Sequence, residues 1–191
     1  MRRLGIYITA FLFITMSSCE SSNAADFKES INQSERRAFE IILGKKGSGE
    51  KKLNCLVKDD FKGALTAVDQ QSKEFDILIG DIKKLSTQGI PKGEPLKTAS
   101  LEYYQSLKEL HVFDRKEIEQ EALLRTLKNN ELKNTQNNLI VLARQKRCFI
   151  TQYIKRKLYY ILQLKILRLP MAFNKDFSEY PICYLHFLDR N

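Results

Sequence analysis

Between Asp59 and Ser86 the apolar residues Phe61, Leu65, Val68, Phe75, Ile79 and Ile82 recur in steps of four and three, with Ser72 filling the gap. That spacing lines one face of a helix, and no β-strand period of two fits it. Lys, Asp and Gln occupy the opposite face. A second seam follows at Leu96, Ala99, Tyr103, Leu107 and Leu110. Between the two lies Thr87-Gln88-Gly89-Ile90-Pro91-Lys92-Gly93, a Gly/Pro turn, with Pro95 placed as a first helical residue. So short a connection favours an antiparallel helical hairpin. The chain of 191 residues holds only 8 Gly and 4 Pro, too few breakers for a turn-rich all-β fold. The expected class is therefore all-α: an antiparallel hairpin, small bundle or coiled coil, followed by an irregular C-terminal tail.

The flanks of the hairpin are less regular. Asp26 and Glu29 have capping-box spacing, and a helix through Ile31, Ala38, Phe39, Ile42 and Leu43 follows. Gly44 to Lys52, GKKGSGEKK, reads as a flexible basic linker. It is no phosphate-binding loop, because Glu50 and Lys51 stand where that motif needs Lys and then Ser or Thr. Asp114 and Glu117, with Phe113 and Ile118 as a hydrophobic staple, predict that the helix restarts or kinks at Asp114. The asparagine-rich stretch 129–138 predicts a weak point for helix.

The N-terminus has its own logic. Arg2 and Arg3 precede the uncharged run Leu4–Met16, which is too short for the ~20 residues of a membrane span but suits the core of an export signal. The small pair Ser17-Ser18 then abuts Cys19. The segment Met16-Ser17-Ser18-Cys19 resembles the lipobox of bacterial lipoproteins, with Met in place of the usual Leu. The resemblance covers about a tenth of the chain. It implies removal of residues 1–18, lipidation of Cys19, palmitate on the new N-terminus, and stable anchoring through two or three acyl chains. It further implies a place in the cell envelope, on the periplasmic side. Glu20 after the cysteine, rather than Asp, leans toward the outer membrane. The expected organisation is a signal peptide at 1–18, a lipidated tether at 19–25, a helical body at 26–147 and a basic, apolar tail at 148–191.

The formal charge of +9 is concentrated. Arg144, Lys146, Arg147, Lys155, Arg156, Lys157, Lys165 and Arg168 occur with no acid among them. Three readings of this part of the chain compete. One is a basic amphipathic helix on an anionic membrane, although Lys155, Arg156 and Lys157 are consecutive and spread around a helix. The second is a structural helix with Leu158, Ile161, Leu162 and Leu169 packed on the body. The third is that 148–191 is a frame-shifted or truncated end, since its Lys, Ile, Tyr, Leu, Phe and Asn mixture is what AT-rich DNA gives out of frame. Export, and the lack of any groove-reading motif, oppose nucleic acid as a partner.

Little chemistry is written in the remaining residues. If Cys19 carries lipid, Cys55, Cys148 and Cys183 remain, enough for one disulfide and one free thiol. No Cys/His spacing suits a metal, and no cofactor is expected. His111, near Glu109 and Asp114, is expected to be a solvated residue at a helix end; His186 lies in the tail. Glu117, Glu119 and Glu121, with Lys116 and Arg125, read as a solvated face. Of Tyr103 and Tyr104, one belongs in a core seam. The expected role is a non-enzymatic, membrane-anchored interaction or spacer module, with the helical seams open to a protein partner or a second copy. The alternatives are a membrane-active or stress-related lipoprotein using the basic segment, and a periplasmic enzyme.

Overall fold

The computed structural model describes residues 22–127 and 129–168. The expected signal peptide, Cys19, Cys183 and His186 lie outside the described residues. Five helices appear, and no strand is present among the described residues: α1 (Ser22–Leu43), α2 (Ser48–Val57), α3 (Phe61–Lys84), α4 (Gly93–Leu124) and α5 (Asn129–Arg168).

The ion pairs give the topology. Asp76 meets Lys108, Asp69 meets Arg115 and Asp59 meets Arg125, so the residue number falls along α3 as it rises along α4. The pair is antiparallel, as its short connection requires. Helices α4 and α5 are also antiparallel: Glu117 pairs with Lys146, and Tyr103 stacks on Tyr160. Across α3 the partners run Arg37–Asp81, Ser48–Glu74 and Lys52–Gln71. Helices α1 and α2 are thus two segments of one arm, antiparallel to α3 throughout.

The expected linker at Gly44–Lys52 is therefore corrected. Residues 44–47 make a tight corner, and α2 starts at Ser48, with Ser48 and Gly49 buried. A Cβ on Gly49 would stand 2.2 Å from the Ile42 carbonyl oxygen, so the bare backbone is what lets the two segments touch. The Ser48 hydroxyl donates to Glu74 at 2.6 Å, and Glu50 accepts from the Lys46 amide. Composition suggested a loop because Gly, Ser and Lys fill both flexible loops and close corners.

Helix α3 starts where its cap dictates. Asp60 accepts from the Gly63 amide at 2.8 Å, and Asp59 takes a left-handed φ of 54° just before it. The buried stripe is Ala64, Ala67, Val68, Gln71, Phe75, Leu78, Ile79 and Ile82, wider than the expected seam, because α3 has neighbours on several sides. The turn that follows closes with Ile90 buried and Thr87 donating to Glu94 at 2.6 Å. Helix α4 then begins at Gly93, ahead of Pro95.

Two other expected interruptions are absent. Helix α4 runs through Asp114 without a break, because that carboxylate is drawn into ion pairs and does not cap. Helix α5 includes the asparagine-rich stretch; the chain instead turns after Leu124. Side-chain propensity costs a few tenths of a kcal/mol per residue and yields to packing.

The two ends of the domain plan also shift. The tether expected over 19–25 is helical from Ser22. No break falls at Arg147; α5 crosses it and adds Tyr160 and Leu164 to the core. The residues expected to pack there do not. Leu158 is 59% exposed, with Ile161 at 37% and Leu162 at 43%, while Leu169 lies outside the described residues.

The core has three parts. Phe75, Leu78, Ile79 and Ile82 pack with Ala38, Ile41, Tyr104 and Leu107 in the middle. Phe27, Ile31, Leu96, Ala99, Tyr160 and Leu164 join α1, α4 and α5 at one end. Ala64, Val68 and Ile118 gather under α2 at the other.

Candidate functional site

Four elements send polar groups to one half-buried point. Lys52 of α2 bonds Asp114 of α4, whose other oxygen receives Lys146 of α5 at 2.9 Å. Lys146 also bonds Glu117, one helical turn from Asp114. Gln71 of α3 lies 3.5 Å from the Lys52 ammonium, and its own amide nitrogen finds no partner. The side chains of Lys52 and Asp114 are only 13% and 19% exposed. Burial opposes ionisation of Asp114, but the two lysines outweigh it and hold the carboxyl below its usual range. Lys146 is held above its usual value in the same way: Glu117 and Asp114 overcome its desolvation.

His111 belongs to this cluster and is not the solvated helix-end residue expected. It lies in mid-α4, stacked on Phe75 with ring centroids 5.9 Å apart, and its Nδ1 is 4.0 Å from Asp114. That gap is too long for a hydrogen bond. Burial first, then the charge of Lys52, push its pKa down to about 4, although Asp114 pulls the other way. His111 is therefore neutral near pH 7, and the two lysines and two carboxylates balance. The arrangement locks α2, α4 and α5 together.

A pH dependence follows from His111. The unfolded chain takes up its proton as pH drops below about 6.5, while the folded protein resists until about 4. Stability is thus lost as pH falls between those values. After a discount for residual exposure, the loss is about 2 kcal/mol. Denaturant titrations at pH 7 and pH 4.5 measure it, and His111→Phe removes this part of the difference. An unchanged pH profile in that variant refutes the assignment.

The tyrosines form a second constellation. Tyr104 is fully buried; Tyr103 is half-buried and stacks on Tyr160 at 5.0 Å with ring planes 5° apart. Tyr153 adds a further ring 5.7 Å from Tyr103. The Tyr160 hydroxyl donates to Glu35 at 2.9 Å, whereas the Tyr104 hydroxyl has no partner. Burial pushes all three phenols of Tyr103, Tyr104 and Tyr160 upward, so they stay neutral. Beside them lies a cleft of about 400 Å³ between α1, α4 and α5, bordered by Phe39, Ile42, Leu43 and Ile161. Its lining is mostly apolar and aromatic, with Glu35 and Lys157 as its charged residues.

The acidic face is only partly solvated. Glu117 is taken by Lys146 and Glu119 pairs with Arg115, while Glu121 is exposed. Lys116 lies over the Phe113 ring and Arg125 pairs with Asp59 at 2.9 Å. Cys55 and Cys148 are both free thiols. No group of three His, Cys, Asp or Glu among the described residues has metal-binding geometry. No described helix is long and apolar enough to cross a membrane.

Sequence reasoning missed the cluster because its members lie far apart along the chain: Lys52 and Asp114 are separated by 62 positions. Each lysine alone looks like any surface cation. The hint available was Asp114 itself, an acid whose capping pattern could equally be spent on a distant partner. Neither protein-family profiles, nor characterised proteins, nor solved structures match the chain.

Proposed function

We propose that this chain is a lipid-anchored protein of the bacterial cell envelope, and that its helical bundle is a non-enzymatic interaction module. The observation that carries the reading is the leader: a basic start, a short apolar run, and Ser17-Ser18 abutting Cys19. Helix α1 begins at Ser22, only three residues beyond the thiol, so an anchor there would hold the bundle close to the bilayer. The seam residues Val68, Phe75, Ile79, Leu96 and Leu107 are buried within the chain itself. A protein partner would instead meet the exposed apolar side chains of the α1–α2 arm, where Phe39 is 57%, Leu43 67%, Leu53 60% and Val57 78% exposed. These side chains stand on the same arm as the proposed anchor. The outer membrane is favoured over the inner by Glu20.

Metabolic labelling with a palmitate analogue tests the anchor. The wild type incorporates label and fractionates with membranes, and Cys19→Ala abolishes incorporation. Mass spectrometry showing a mature chain that starts at Met1, with an unmodified Cys19, overturns the proposal.

A further inference from the structure

Helix α5 has a second apolar stripe that is left largely exposed. Ile150, Ile154, Leu158 and Ile161 follow one another at steps of four, four and three, which places them on one face. They are 39%, 44%, 59% and 37% exposed. The packed face, through Phe149, Tyr153, Tyr160 and Leu164, lies about 100° around the helix from this stripe, and Ile161, at the edge between the two, borders the cleft beside the tyrosines.

The charges around this stripe are of one sign. At 3.6 residues per turn, Arg147 and Lys165 continue the stripe at its two ends. Lys155 borders it on the outer flank, and Lys157 on the flank toward the packed face, where its ammonium lies 5.7 Å from the centre of the Tyr153 ring. Of the three consecutive cations, only Arg156 turns away, and it is half-buried. No Asp or Glu occurs from Leu132 to Arg168. Lys155, Arg156 and Lys157 do spread around the helix, yet two of the three frame the apolar face.

Position points the same way. Tyr160 and Leu164 pack against Phe27 and Ile31, with Ala24 beside them. The C-terminal half of α5 therefore lies beside the start of α1, the helix that follows Cys19 in the sequence.

We propose that the outward face of α5, from Arg147 to Lys165, lies on a bilayer rich in anionic phospholipid, with the isoleucines and Leu158 at the acyl boundary and the cations among the headgroups. The placement of this face beside the bilayer rests on the lipid-anchor reading; its chemistry does not. An apolar stripe framed by Lys and Arg is what interfacial helices present to lipid. A second copy of the same face is a poor occupant, because cation would meet cation with no acid to pair them.

The chain contains no Trp, so Leu158→Trp supplies a single reporter at a largely exposed position. The full-length acylated protein is reconstituted into vesicles of phosphatidylcholine alone, or of phosphatidylcholine with phosphatidylglycerol. The expected result is a blue shift, and quenching by brominated acyl chains, in the anionic vesicles only, with both reversed by added salt. Lys73→Trp, at a site on α3 away from this face, shows neither effect. Lys155→Gln and Lys165→Gln each weaken the face contact about fivefold.

Flotation of the vesicles reports the anchor separately. Protein that floats with both vesicle types, while the emission of the Leu158→Trp variant is the same in both, overturns the face contact and leaves the anchor standing. Emission that is already blue without lipid means that protein covers the face, which also overturns the proposal. Quenching in anionic vesicles alone, with no flotation on phosphatidylcholine, supports the face while removing the anchor.

Discussion

Asp114→Ala lowers the unfolding free energy by about 4 kcal/mol. Removing one partner of a half-buried ion pair is costly because the other charge is left without compensation. Asp114 serves two lysines, Lys52 and Lys146, whose side chains are 13% and 29% exposed. Lys146 keeps Glu117. Lys52 keeps only the Gln71 oxygen at 3.5 Å, a weak acceptor for an ammonium out of water. The loss should therefore fall mainly on Lys52. Adding Lys52→Met to Asp114→Ala should recover about 1–3 kcal/mol, the range for residues in one network. Urea titrations of the wild type, both single variants and the double variant close the cycle. A cost for Asp114→Ala under about 1 kcal/mol would place this cluster with ordinary surface pairs and sink its role as a clamp.

The second large effect comes from the corner between α1 and α2. Gly49→Val destabilises the fold by about 3 kcal/mol. The new Cβ would meet the Ile42 carbonyl oxygen at 2.2 Å, the Ile42 carbonyl carbon at 2.9 Å and the Ile41 carbonyl oxygen at 3.0 Å. These are backbone atoms of a preceding helix, so none can rotate out of the way. The arm must open, and Ser48 then loses its bond to Glu74. Gly80 is the control, because a Cβ there meets nothing within 4 Å. Gly80→Ala should instead stabilise helix α3 by about 0.5–1 kcal/mol. Thermal and urea unfolding of the two variants should shift in opposite directions. A tolerated Gly49→Val would return the segment to the status of a linker.

How much of this was legible depends on the distance over which each feature is decided. Val68, Phe75, Ile79 and Ile82 in α3, and Leu96, Ala99 and Leu107 in α4, were readable because a helical face repeats within a few residues. Helix α5 was harder. Its C-terminal half carries Tyr, Ile and Leu on more than one side, so periodicity alone does not say which side is buried. Leu158, Ile161 and Leu162 looked as suitable for the core as Tyr160 and Leu164 do. Tyr160 was selected because Tyr103 offers a ring face and Glu35 an acceptor for its hydroxyl, two groups on other helices. The charged cluster was illegible for the same reason: Lys52, Asp114 and Lys146 meet only after three helices are aligned.

By itself, then, the order of residues determined the helical class and the hairpin of α3 and α4. Each is set by neighbours within one or two turns of chain. The corner at Gly49, the neutral state of His111 and the choice of which face of α5 stays outside were decided only by tertiary structure. A local period says which side chains share a face; whether that face is buried depends on the surface another segment brings against it.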